Sequence, residues 1–215
     1  MKQNDDLIYS YLTLRKAVGW TGILLPFTLI FGDFLCFGGK SVLGSISIYY
    51  YSGMRDVFVG AVCAIALFMF FYRGYDAWDR WLTNLVGFFA LGVAFFPTKE
   101  HETGTIISTV HFISAAGFFI LLACISLFLF TKGARTTRKI NRNSIYIFCG
   151  IAILACILSI FIFLKFIEEE GSESSFVFWI ETIALLSFGI SWLTKGGSIC
   201  PDEKNTPDNA GVSKT

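Results

Sequence analysis

Six apolar stretches, each closed by a polar or charged break, divide this chain: 17–37, 56–72, 81–96, 105–130, 144–166 and 175–193. A bilayer core about 30 Å thick is crossed by roughly 20 apolar residues in a helix, with about 17 to 25 tolerated, so all six qualify or nearly do. The second and third are the shortest and need thinned lipid or help from their flanks. Hydrocarbon offers the backbone no water, so spanning segments satisfy their own N–H and C=O groups as helices. The expected fold is therefore all-α: a polytopic bundle of six transmembrane helices. Composition agrees, with 54% hydrophobic, 17% aromatic and only 15% charged residues among 215, too little polar surface to coat a water-soluble globule of this size. The predicted division is an N-terminal segment over 1–16, a transmembrane domain over 17–193 and a polar, disordered tail over 194–215.

Orientation follows from where the positive charges sit, because Lys and Arg in short loops stay cytoplasmic. Of 17 such residues, all but Lys40, Arg55, Lys99 and Lys165 fall on the side of the N-terminus, the 2-3 loop, the 4-5 loop and the tail. Both termini are thus expected in the cytoplasm and the chain in the cell inner membrane. The first apolar stretch follows Arg15 and Lys16 as the core of a signal peptide would, but it is long and lacks a small-x-small exit, so it reads as a span. A net charge of +1 gives no global field for nucleic acid, which is not an expected partner. The six cysteines form no C-x-x-C pair and fall mostly in apolar runs, where they serve as small packing residues.

Around the 2-3 loop, Tyr72, Tyr75, Trp78 and Trp81 read as an interfacial aromatic belt, and Asp76 and Asp79 interleave with Arg73 and Arg80 as a salt-bridged turn would. The basic 4-5 loop fits a topology signal and also anionic lipid headgroups.

With orientation set, the ionisable residues collect at one depth. Asp33 lies near the outer end of helix 1, Arg55 and Asp56 at the outer end of helix 2, and His111 and Glu181 about two turns into helices 4 and 6. An acid such as Glu181 costs roughly 2 to 3 kcal/mol near a span's centre, which some ten strong hydrophobes at about 0.3 to 0.6 each offset. The helix inserts, but its carboxyl needs a partner, water or a proton. Glu181, Ala184, Ser187 and Ser191 share one helical face, as do Ser108, His111, Ser114 and Ala115, and Asp56, Gly60 and Cys63; such stripes of small and polar residues pack inward. An outer-facing polar pocket walled by helices 1, 2, 4 and 6 is expected, capped by FGGKSVLGSISIYYYSG, with Arg55 neutralising Asp56 or Glu181. Polar bridges that hold a bundle together account for the same residues.

The segments SISIYYYSGMRDVFVG, FYRGYDAWDRWLTNLVGFFALGVAFFPT and FWIETIALLSFGISWLTKG together resemble an uncharacterised group of bacterial six-pass membrane proteins, which implies a bacterial, membrane-embedded setting. More distantly, the chain is similar to the CREST superfamily of membrane hydrolases, the alkaline ceramidases and progestin/adiponectin-receptor-like proteins, whose zinc site uses Ser-x-x-x-His, an Asp and two further His. Ser47 matches the Ser and Asp56 follows, but Tyr51 stands at the His position. His101 and His111 are the two histidines of the chain, so a three-histidine zinc site does not form; no metal and no cofactor are predicted.

The leading functional reading is a membrane protein that binds a lipid-like or small amphipathic ligand in its outer-leaflet pocket, with hydrolysis as the enzymatic version. Glu181 or Asp56 would then be general base and His111 its acid or base partner. Arg55, Ser47, Tyr51 and Asp33 would contact the ligand, Arg55 and Tyr51 stabilising developing negative charge. The alternatives are a proton- or ion-coupled transporter or channel component, relaying through Glu181 and His111, and a non-catalytic scaffold. Membrane lipids are the expected partners, and assembly into a homo-oligomer is left open.

Overall fold

The computed structural model describes residues 2–74, 76–98, 106–133, 137–167 and 174–200. His101 and most of the expected tail lie outside them. The regular elements of the described residues are all helices, with no strand among them. Helix α1 (Lys2–Gly32) runs into a π turn over Asp33–Phe37 and stops at Gly38, whose φ of 72° is the left-handed conformation that glycine adopts without strain. A non-regular segment over 38–54, with one 3₁₀ turn at Ser47–Tyr51, leads into α2 (Arg55–Phe71). Then follow α3 (Ala77–Phe95), α4 (Ile106–Cys124, extended by a π turn at Ile125–Leu129), α5 (Thr137–Ile162, extended likewise at Phe163–Ile167) and α6 (Phe176–Lys195).

Each helix packs on the next in sequence and α6 closes on α1, so the six make a ring around a shared interior. Closure relies on glycine. A Cβ on Gly189 would lie 2.6 Å from the Gly19 carbonyl oxygen, and one on Gly19 would lie 2.9 Å from that of Gly189. Both obstacles are backbone, which cannot swing aside, so α1 and α6 touch only because these positions lack side chains. Farther along, Tyr72, Phe130, Tyr146 and Trp192 form an aromatic layer, with centroids 5.1 Å apart for Tyr72–Trp192, 5.2 Å for Phe130–Trp192 and 5.3 Å for Phe130–Tyr146. These edge-to-face distances suit the ring quadrupoles. The outer surface is apolar in the opposite sense to a soluble protein: Leu35, Phe71, Trp78, Phe148 and Phe166 are exposed, as a helix bundle facing lipid requires.

Among the described residues there are six α-helices, of which four are long and apolar enough to cross a membrane, Tyr11–Phe37, Ile106–Leu129, Lys139–Ile167 and Phe176–Lys195; the other two are the segments expected to be short. Helix α2 has 17 residues, and α3, with 19, carries Asp79, Arg80 and Asn84. Helix α1 begins at Lys2, so the expected N-terminal segment is continuous with the first span. The small-residue stripe of α2 is corrected. Asp56 and Gly60 are exposed, while Phe58, Val62, Ile65, Ala66 and Met69 are buried, because the larger side chains of that face make more dispersion contacts in the packed interior.

The turn between α2 and α3 is clamped from a distance. Asp76 caps α3 by accepting from the Asp79 N–H at 2.9 Å, and Lys132, beyond α4, bonds Asp76 at 3.0 Å and buried Asp79 at 2.6 Å. The expected local pairing with Arg73 and Arg80 is thus replaced by a link between loops. The Asp79 N–H, then the Lys132 ammonium, hold the Asp76 carboxyl below its usual range, and the two carboxylates raise Lys132. A depressed carboxyl stabilises the fold above its unfolded pKa of about 3.9 and loses that contribution as pH falls through its lower folded value.

Two outcomes follow. Gly189→Val forces α1 from α6 and destabilises by about 1–3 kcal/mol, read as a fall in thermal unfolding temperature in detergent. Asp76→Ala lowers that temperature at pH 7, and the gap from the wild type narrows below about pH 4; a gap independent of pH rules out the ionic clamp.

Candidate functional site

At the end of the bundle opposite the start of α1 and the end of α6, the 38–54 segment folds down as a cap. Two backbone hydrogen bonds fasten it to α6: Phe178 N–H donates to Gly44 C=O at 2.9 Å, and Ile46 N–H donates to the Glu181 carboxylate at 2.7 Å. A third bond, from the next residue, reaches α4. Ser47 Oγ lies 3.0 Å from His111 Nε2, and His111 Nδ1 lies 2.6 Å from the Phe96 carbonyl oxygen, just past α3. A carbonyl oxygen only accepts, so Nδ1 carries a hydrogen; in the uncharged ring Nε2 then accepts from the Ser47 hydroxyl. The tautomer is inferred from this network.

Ser47 and Glu181 line the same cavity, of about 40 Å³, whose other walls are apolar: Leu25, Phe58, Val62, Val93, Phe118 and Leu185 among them. That is room for a water molecule or a reacting group of similar size. The cavity lining therefore presents one hydroxyl, backed by an imidazole, and one carboxyl, in a setting otherwise made of hydrocarbon. His111 and Ser47 are buried, and Glu181 is half-buried.

Of the residues singled out in the sequence, the fold brings together Ser47, His111 and Glu181 and sets the others apart. Asp56 is exposed. Arg55 neutralises neither Asp56 nor Glu181: its Nη2 donates to the Tyr50 hydroxyl at 2.6 Å and its guanidinium lies 4.4 Å over the Tyr50 ring. Tyr51 is exposed, its ring edge-on to Tyr50 at 5.4 Å. Asp33 is buried beneath the cap instead, so close to Gly39 that a Cβ there would lie 2.2 Å from its carboxylate oxygen. Burial pushes the Tyr49 phenol up, and the Asp33 charge adds to this.

The partners that sequence reasoning missed are backbone groups, the Ile46 N–H and the Phe96 C=O, which have no side-chain signature. It also missed a second polar bridge deeper in the bundle, where Ser126 Oγ donates to Tyr146 C=O at 2.9 Å and meets Ser191 Oγ at 2.7 Å. Among the described residues, no three His, Cys, Asp or Glu side chains gather as a metal site requires, and the cysteines are unpaired thiols.

No family model, curated protein or solved structure matches the chain significantly.

His111→Leu leaves the Ser47 hydroxyl and the Phe96 carbonyl without their partner, at about 1–3 kcal/mol for each buried group left unsatisfied. Thermal unfolding in detergent measures the loss, and a variant as stable as the wild type would show that the bridge carries no load.

Proposed function

We propose that the protein is a six-span membrane protein that takes the polar end of a lipid-like or small amphipathic ligand between Ser47, His111 and Glu181 and hydrolyses it. The observation that supports this reading is the polarity of the Ser47–His111 hydrogen bond beside a cavity otherwise walled by hydrocarbon. Tied at Nδ1 by the Phe96 carbonyl, the imidazole turns its basic nitrogen to the hydroxyl, the relation in which a histidine takes the proton of an attacking serine. Ser47 would attack a carbonyl carbon, its proton would pass to His111 Nε2, and His111 would return it to the departing alkoxide; water would then release the acyl group by the same route in reverse. Glu181 is the second polar contact for the ligand.

In this reading α2 and α3, about 26 and 28 Å long at 1.5 Å per residue, cross a bilayer thinned around them. Both termini lie in the cytoplasm and the cap faces outward, in keeping with the distribution of Lys and Arg. A cavity of about 40 Å³ admits a whole ligand only when the cap lifts, so the bonds at Gly44, Ile46 and Ser47 are also the gate.

That small volume supports a second reading, in which the same three bonds only latch the cap to the bundle. A fluorophosphonate probe, which labels activated serines, separates the two. Hydrolysis requires labelling of the wild type, none at Ser47→Ala, and a rate about 10²-fold or more lower in His111→Ala. An unlabelled wild type, with Ser47→Ala merely less stable, leaves the latch. Native mass spectrometry of wild type and Glu181→Gln tests the ligand separately, through a lipid retained by the first and lost from the second.

A further inference from the structure

Helix α1 ends on a charge of the wrong sign. The last carbonyls of a helix lack donors and carry the negative end of its dipole, which cations stabilise. Here the closing π turn, Asp33–Phe37, holds no basic residue and opens on an acid instead. The Gly38 and Gly39 N–H groups both donate to the Asp33 carbonyl, and no backbone N–H among the described residues reaches the carbonyls of 34–37. Turns of the π class are frequent at functional sites.

The Asp33 side chain does not escape into water. It is 7% exposed and folds back against Gly39, where a Cβ would lie 2.2 Å from Oδ2, so the missing side chain leaves the carboxylate its room. Among the described residues, no hydrogen bond and no ion pair reaches that carboxylate. Lys40 is exposed, and Arg55 is engaged with Tyr50. Tyr49, in the 3₁₀ turn of the cap, is wholly buried, and its hydroxyl has no hydrogen-bond partner among the described residues. The Asp33 charge acts on this phenol, yet the two groups do not bond each other. A buried carboxylate and a buried hydroxyl each cost free energy when left unpaired. Two such groups occur together here, at the negative end of a helix.

We propose that a monovalent metal cation binds at the end of α1, held by the Asp33 carboxylate, the Tyr49 hydroxyl and the helix-terminal carbonyls. Each of these ligands is an oxygen, as a hard cation prefers, and one carboxylate balances one positive charge. Helix C-termini and unwound backbone carbonyls hold sodium in membrane proteins in the same manner. With Asp33 on α1 and Tyr49 in the cap, the ion ties the cap to α1 as Glu181 ties it to α6 and His111 to α4. The site uses none of Ser47, His111 and Glu181, so its failure would leave the proposed hydrolysis untouched.

The test is thermal unfolding of the full chain in a non-ionic detergent and sodium-free buffer, titrated with sodium chloride in exchange for choline chloride at fixed ionic strength. A saturable rise in unfolding temperature is expected, since a ligand of the folded state stabilises it. The rise disappears in Asp33→Asn and persists in Asp56→Asn, the change of an exposed acid. Tyr49→Phe removes an unpartnered hydroxyl, so it is as stable as the wild type in choline and needs a several-fold higher sodium concentration for half the rise. A rise with potassium as well extends the site to monovalent metal ions in general. No rise with either ion, an equal rise in Asp33→Asn, an unshifted midpoint in Tyr49→Phe, or a rise with calcium alone overturns the proposal.

Discussion

A polar group enclosed in this molecule has almost no water to return to, and that constraint orders the structure. Hydroxyls buried in the helices answer it locally: Thr182 donates to the Phe178 carbonyl and Thr194 to that of Ile190, each at 2.8 Å and one turn back. Groups that cannot be satisfied within their own helix must reach another, and those reaches give the bundle its specificity. Glu181 takes the Ile46 N–H, His111 joins Ser47 to the end of α3, and Ser126 joins α5 to α6. Apolar packing alone holds helices together weakly in lipid, where hydrocarbon tails are equally good company; the polar bonds choose which helix faces which.

Helix content was legible from the length of the apolar runs and the inward stripes of α4 and α6 from the spacing of their small and polar residues, both of which the order of residues displays directly. Ser108, His111 and Ser114 are buried, as are Ala184, Ser187 and Ser191. On α2 the same logic failed. Its small and polar residues, Asp56 and Gly60, compete with Phe58, Val62 and Met69 for the interior, and the larger side chains gain more contact there. A stripe of small residues is therefore a guide only where no bulkier face exists on the same helix.

Within the site, residue types were readable and pairings were not. That Glu181 needed a partner follows from its surroundings, but Arg55 looked the obvious one and instead engages Tyr50. The true partner is a backbone N–H supplied by a segment with no regular structure, whose path no side-chain pattern records. The clamp on the 2-3 turn has the same lesson: Lys132, far along the chain, outcompetes the neighbouring arginines for Asp76 and Asp79. Short-range charge pairing is the default guess, and three-dimensional proximity overrules it.

The closure of α6 on α1 through Gly19 and Gly189 has a consequence for how the molecule is made. Of these six helices α1 is made before the others and α6 after them, so the ring is open along one side until α6 is made, and Glu181 arrives after every other member of its site. Until then the cap has nothing on α6 to hold it and the interior stands open to lipid. The closure of α6 on α1, which joins residues far apart in sequence, thus comes late, and it completes the ring in one step.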